Sequence, residues 1–408
     1  MGLARSKVGA ALLQVHSVIG LALSLLLTVV ALTGVTMIFE DEIKASLNAG
    51  IMHVEARSAP VLTPDELIAR LQASHDYGKV SAVTLTRDPS AAVRIRFARG
   101  EGGSRPSSLY VDPHDAHVLG APRGEEFFVS VRRLHRWLLV PGDANGYGRQ
   151  ITGVAAIGLI VMLVSGLVLR WPHRAGSVKT WLKPNLGLRG RGLHRSLHAI
   201  AGTWVLLVYL VMALTGLWYS FDWYRTGAIW LLSRPSDVAK PMQPKSPRAA
   251  GTAKAKPDTK PESDAESLAL DRAWSTFLHE QGRRFTTAQL TLPAGAGTVI
   301  RIRSWAQDAS LDGPRDEFRI DAVTGEMVSS DIYADKTLGE RILSRVLDIH
   351  RGGIFGWPGR LLFMVAAALM PLFMVTGSLL YLSRRRHRAV SHSAIERRAS
   401  QPIICEGG

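Results

Sequence analysis

Four histidines stand where an imidazole could do chemistry. His16 and His198 lie inside long apolar runs, in "LQVHSVIG" and "RSLHAIAG", while His135 and His350 lie just ahead of two others, in "VRRLHRW" and "LDIHRGG". A neutral imidazole offers one nitrogen lone pair to a transition metal. An ionisable residue inside a membrane span is costly enough to stand as a functional hypothesis. Taken singly, a histidine near a helix end reads as an interfacial group that hydrogen-bonds to lipid headgroups, so the question is whether the four come in pairs. A fifth, His194, precedes His198 by one helical turn and shares its face. Those two could chelate a small metal together, but they cannot approach a flat macrocycle from opposite sides.

Other reactive chemistry is thin. The single cysteine, Cys405, leaves no disulfide. No Cys-x-x-Cys-His is present, which excludes covalent haem attachment, and cysteine-held zinc or iron–sulfur centres are excluded as well. There is no P-loop, glycine-rich phosphate loop, Ser-His-Asp order or His-Glu-x-x-His, and no catalytic residue is assigned.

The elements that must position the histidines are membrane helices. The chain has 408 residues, is 47% hydrophobic and carries a net charge of +15, with a mean hydropathy of +0.09. Four runs, 10–39, 150–171, 197–221 and 358–382, reach the ~20 apolar residues a span requires. The first is too long for a signal-peptide core and is expected to be retained. The basic excess flanks these runs: seven Lys/Arg and no acid between 170 and 195, and six Lys/Arg against two acids after 382. Residues 40–149 hold equal numbers of each sign, and 222–357 is nearly balanced. The positive-inside bias therefore places residues 1–9, the basic loop 172–196 and the tail 383–408 in the cytoplasm, with 40–149 and 222–357 outside. The chain would be a multi-pass protein of a bacterial inner membrane with both termini cytoplasmic. The positive charge is explained by the membrane, and no nucleic-acid partner is expected.

The chain also repeats itself. "VHSVIGLALSLLLTVVALTG" (15–34) aligns without a gap on "LHAIAGTWVLLVYLVMALTG" (197–216), pairing His16 with His198. The second and fourth runs both end in a hydroxyl residue followed by glycine, Ser165-Gly166 and Thr376-Gly377, a pair that lets helices approach closely. Outside the membrane, Thr63-Pro64-Asp65-Glu66 opens a capped helix followed by two short strands, of which "VRIRF" alternates with period 2, and then by a further strand and turn, "LYVDPHDAHVLG". "SLALDRAWSTFLHEQG", "TTAQLTL", "VIRIRSW" and "FRIDAVTGEMV" form a second copy, with Asp112 and Asp321 in equivalent places. Residues 235–266, rich in Pro, Lys and Ala, have no counterpart and read as a disordered insertion. The expected fold is a membrane α-helical protein of four transmembrane helices, internally duplicated, with two external α+β domains.

This pattern resembles the PepSY-associated transmembrane family, often called iron-regulated membrane proteins. The resemblance rests on Leu134-His135-Arg136-Trp137, Val111-Asp112-Pro113, Ile320-Asp321 with Thr324-Gly325, and the hydroxyl–glycine helix ends. It covers nearly the whole chain apart from the insertion and the tail. The first copy departs from the usual turn, with His114-Asp115-Ala116 where a Thr-Gly is expected. The resemblance implies that the external domains are PepSY-like and periplasmic, and that the protein is an oxidoreductase reducing ferric siderophores with membrane-bound haem. No flavin domain follows the fourth helix, so a separate cytoplasmic donor, a flavin or flavoprotein reductase, is expected.

On this topology the histidines sort into two layers. His16 pairs with His198 toward the cytoplasmic side, and His135 with His350 at the outer face. Each pair would supply two axial ligands to one iron, giving two b-type haems. His194 is left as a second ligand candidate or propionate partner, and Arg136 and Arg351 follow their histidines as propionate partners or headgroup contacts. Arg149 and Arg360 share that ambiguity. His53, His75, His114, His117 and His279 are expected at the surface, and His173, His387 and His392 among cytoplasmic basic residues facing lipid. "LWYSFDWYRTGAIW" reads as an interfacial aromatic belt rather than a siderophore-stacking surface. Two rival readings stand beside the reductase. One is a non-enzymatic anchor that binds or restrains a periplasmic partner; the other is a haem electron carrier serving a different acceptor.

Overall fold

The computed structural model describes residues 7–399 except 56, 58, 99–105, 172–175, 234–268, 283, 296 and 307–312, with side chains to 386. The expected insertion at 235–266, His173 and Cys405 lie outside the described residues, as do the side chains of His387 and His392. The chain divides into a helical unit, residues 1–39, 128–225 and 349–408, and a sheet unit, residues 40–127 and 226–348.

Four helices of the helical unit are long and apolar enough to cross a membrane: Lys7–Ile38, Tyr147–Arg170, Arg191–Ser220 and Gly353–Arg386, the first to fourth spans. They match the four expected runs and extend each by part of a turn or more. The first and third spans each pack against both the second and the fourth, so they occupy opposite corners of the bundle. Leu27, Ala155, Val205, Tyr209, Ala366 and Met370 fill its centre. The fourth span is broken between Ala368 and Met370. Pro371 has no N–H for the carbonyl one turn earlier. Tyr209 Oη from the third span donates to Ala366 O at 2.7 Å, serving a carbonyl beside the break.

The two expected external domains are one sheet. Strands β1 (Val80–Thr86), β2 (Val93–Phe97), β3 (Ser108–Val111) and β4 (Val118–Gly120) join β5 (Thr287–Thr291), β6 (Val299–Trp305), β7 (Asp316–Asp321) and β8 (Met327–Asp331). The order is β4-β3-β2-β1-β5-β6-β7-β8, antiparallel throughout. The two halves are joined by β1 against β5, with Val83 opposite Leu290. A free β1 or β5 edge would leave backbone groups unpaired, and pairing them removes both edges at once. One face packs on helices Pro64–Ser74 and Leu270–Gln281, where Leu67, Leu71, Val83, Ile95, Phe277, Leu290 and Ile302 are fully buried. These two helices cap each other. Asp65 Oδ1 and Oδ2 accept from the N–H groups of Leu270 and Asp271, and Asp271 Oδ1 accepts from Asp65 N–H. Thr63 caps its helix as expected, and Glu66 completes a capping box with it.

The unusual turn keeps its shape. Asp112 and Asp321 make matching backbone bonds, Ala116 N–H donating to Asp112 O and Gly325 N–H to Asp321 O. Ala116 therefore takes the left-handed conformation, φ 63°, that Gly325 takes at φ 77°. His114 beside it is a correction to the surface reading. It is only 7% exposed, because the turn folds it beneath residues before the Thr63 helix. Its Nδ1 lies 3.3 Å from Pro60 O. His53, His75, His117 and His279 are exposed.

Candidate functional site

Each histidine of interest sits on an element whose partner is a hydroxyl on a neighbouring span. His16 of the first span has Nδ1 2.9 Å from Ser165 Oγ of the second. His198 of the third span has Nδ1 2.8 Å from Thr376 Oγ1 of the fourth. His135, near the end of helix Glu125–Trp137, has Nδ1 3.0 Å from Thr33 Oγ1 of the first span. His350, ending helix Val346–His350, has Nδ1 2.7 Å from Thr215 Oγ1 of the third. His135 and His350 belong to the helical unit, although their sequence positions fall in the expected external segments 40–149 and 222–357. The next span holds each turn in place. A Cβ on Gly148 would lie 1.9 Å from Trp137 O, and one on Gly359 would lie 2.3 Å from Gly352 O. Both carbonyls follow their histidine by two residues, and only glycine permits that approach.

The hydroxyls fix the tautomer. Each has one proton, and each has an acceptor for it in its own helix: Thr33 with Val29 O and Val30 O, Ser165 with Met162 O, Thr215 with Val211 O, Thr376 with Leu372 O. The oxygen is thereby left to accept, so Nδ1–H of the imidazole donates to it and Nε2 keeps its lone pair. His135 confirms this by a second route, because its Nδ1 is also 2.8 Å from Val30 O, and a carbonyl only accepts. The glycine after each hydroxyl leaves room for the ring. A Cβ on Gly34 would lie 3.3 Å from His135 Cε1, and on Gly166 3.2 Å from His16 Cε1. Gly216 and Gly377 face the Cε1 atoms of His350 and His198 in the same way.

The rings meet in two pairs. His16 and His198 have ring centroids 6.3 Å apart with planes at 79°, and His135 and His350 are 6.3 Å apart with planes at 75°. Two imidazole nitrogens each about 2 Å from one shared metal would put the ring centres about 6 Å apart, which is the spacing found. Burial pushes His135 down to about 4, aided by the charges of Arg136 and Arg351. Burial, with His135 and Arg351, pushes His350 down to about 3. Both rings are thus neutral near pH 7, the form that ligates. Among the described residues no group of three or more His, Cys, Asp or Glu comes together. Each pair by itself would supply only two of a metal's ligands. The layers are separated by most of a span: His16 and Thr33 lie about 26 Å apart along their helix at ~1.5 Å per residue.

The remaining candidates are placed differently. His194 is half-buried one turn before His198, and its side chain makes no ring contact or hydrogen bond among the described residues. Arg136 lies over the rings of Trp137 and Tyr219, at 5.0 and 5.4 Å. Arg149 is a helix cap: its Nε donates to Tyr219 O at 2.9 Å and its Nη2 pairs with Asp222 at 2.7 Å. Arg360 does the same for the first span, donating to Ile38 O and lying over Phe39. Cations at helix C-termini also complement the helix dipole. Trp223 and Trp230 of the aromatic cluster are exposed.

The hydroxyls Thr33, Ser165, Thr215 and Thr376 are the residues that sequence reasoning left in a lesser role. Their recurrence before glycine at the end of every apolar run was the available signal, and it suggested helix contact rather than histidine orientation. Among known proteins, the family model for the PepSY-associated TM region matches residues 13–384. No curated protein matches the chain in sequence.

Proposed function

The chain belongs to the PepSY-associated TM family, and from that premise we propose that it is a dihaem electron-transfer protein of the bacterial inner membrane that reduces ferric siderophores at the periplasmic face. The observation that carries this reading is the pair of bis-histidine sites, His16 with His198 and His135 with His350, each 6.3 Å between ring centres. Two protein ligands, both neutral imidazoles with Nε2 free, fit an iron whose other four ligands are porphyrin nitrogens. Haem b bound at each site would supply one-electron redox chemistry. Thr33, Ser165, Thr215 and Thr376 hold the imidazoles in the ligating tautomer.

Both termini and the loop 172–196 are cytoplasmic in this reading, so a haem held by His16 and His198 would be the one open to a cytoplasmic flavin or flavoprotein donor. A haem held by His135 and His350 would supply the reducing electron at the outer face. Arg136 and Arg351 beside it would meet propionates. Reduction releases the metal because siderophore oxygen ligands favour Fe(III), and the softer Fe(II) is held weakly.

Purified protein should show a haem Soret band and two haem b per chain. His135→Ala should remove about one equivalent and spare the other. Dithionite-reduced protein should be reoxidised by a ferric hydroxamate-type siderophore, with Fe(II) trapped by a ferrous chelator, and His350→Ala should slow that step. Haem content unchanged in all four single histidine variants would refute the ligand assignment. Protein without haem would leave the anchor reading, and reoxidation by oxygen or quinone but by no ferric chelate would redirect the electrons to another acceptor.

A further inference from the structure

The sheet face opposite the apolar core carries a row of arginines. Register places Arg96 of β2 opposite Ala82 of β1, Ala82 opposite Thr291 of β5, and Thr291 opposite Arg301 of β6. Directly opposed residues share a face, so Arg96 and Arg301 flank the β1–β5 junction with only two short side chains between them. At ~4.8 Å per strand their backbones lie about 14 Å apart, within reach of two extended guanidinium arms closing on one small molecule. In the next row Arg94 pairs with Glu125 at 2.7 Å, and Arg303 pairs with Glu317 at 3.0 Å. Arg96 and Arg301 make no ion pair or side-chain hydrogen bond among the described residues, and Arg301 Nε is buried without a partner. Burial and the neighbouring Arg94 lower the Arg96 pKa, and burial with Arg303 lowers that of Arg301. Like charges are thus crowded in each half, with one glutamate apiece to offset them, and Arg301 is half-buried as well while Arg96 is exposed. A buried donor left unmatched is costly, and a bidentate carboxylate is the group that matches a guanidinium.

We propose that this face binds a small soluble polycarboxylate, which straddles β1 and β5 with one carboxylate on Arg96 and another on Arg301. The anion site stands on the sheet alone. Its use, to present an anionic ferric polycarboxylate as the substrate class, rests on the reductase reading above.

The test is titration calorimetry of the full-length, detergent-solubilised protein with citrate and with ferric citrate at low salt, with a neutral ferric trihydroxamate as comparator. Wild type should bind both anions, and added salt should weaken them. Arg96→Gln and Arg301→Gln should each weaken binding at least about tenfold, while the haem absorbance and melting temperature stay at wild-type values. Arg96→Lys should fall between, keeping charge but losing the fork. Should Arg301→Gln lower the melting temperature, the exposed Arg96 variants decide the matter. Absence of citrate binding in wild type, equal affinity in the variants, or binding of vesicles with anionic lipid but not of citrate would overturn the site. Citrate binding by a protein without haem would uphold the site and remove the reductase reading, and haem without citrate binding would do the reverse.

Discussion

Thr33 Oγ1 lies 3.0 Å from His135 Nδ1 with its own proton held by backbone carbonyls of the first span. A side chain on one span thereby dictates which nitrogen of a histidine on another element is free. The same arrangement occurs at Ser165, Thr215 and Thr376.

If that bond orients the ligand, Thr33→Val should damage the outer site without removing any ligand. Outer-shell partners of metal-bound histidine are typically worth about 10–100-fold in affinity. Haem titration of the apoprotein should show such a loss at one of two sites in Thr33→Val, and near-wild-type binding in Thr33→Ser, which keeps the acceptor. Val30 O remains to hold His135, so the effect should sit toward the lower end. Identical titrations for both variants would remove the orienting role.

Ala116 offers a stability test. Its φ of 63° costs an L-residue about 1–2 kcal/mol, while its buried methyl returns about 0.8 kcal/mol. Ala116→Gly should therefore stabilise the protein by up to about 1 kcal/mol, read as a rise of about 2–4 °C in the melting temperature of the sheet unit. A fall would mean that the methyl's packing outweighs the strain.

The membrane spans were legible because a span of apolar residues has few alternatives in sequence. Pairing of His16 with His198 was legible from the gapless alignment, and the structure brings those rings together. The joined sheet was not. Val80–Thr86 and Thr287–Thr291 read as strands, but nothing in a strand's sequence says whether its free edge meets solvent or another strand. The four hydroxyls were visible as a motif, yet their role depends on a ring from another element and so on tertiary geometry. His114 was misplaced for a related reason: the turn that buries it is local, but the chain segment covering it precedes it by more than fifty residues.

The charge distribution makes a separate prediction about orientation. Reporter fusions should place residues 174–192 and the C-terminus inside, and residues 60–120 and 270–330 outside. An exported reporter active in the 174–192 loop would invert the proposed assignment of inner and outer histidine pairs, and the proposed direction of electron flow with it.

Asp65 and Asp271 cap each other's helices, which sets two carboxylates close together. Burial raises the Asp65 pKa, and the Asp271 charge raises it further, against the lowering effect of the N–H groups of Asp271 and Leu270. A carboxyl with a raised folded-state pKa takes up its proton before the unfolded chain does. Its contribution to stability therefore grows as pH falls through the folded pKa and is lost as pH rises above it. Asp65→Asn cannot ionise and keeps one acceptor oxygen where the carboxylate offers one each to the Leu270 and Asp271 N–H groups, whereas Asp65→Ala removes both acceptors and should cost about 1 kcal/mol. We expect Asp65→Asn to be close to wild type or slightly more stable at pH 7. Its advantage over wild type should shrink toward the ordinary carboxyl range, measured as the difference in melting temperature at each pH. An advantage that instead grows as pH falls would show that the charged carboxylate is favoured in the fold, and that the helix N–H groups outweigh burial and the neighbouring charge.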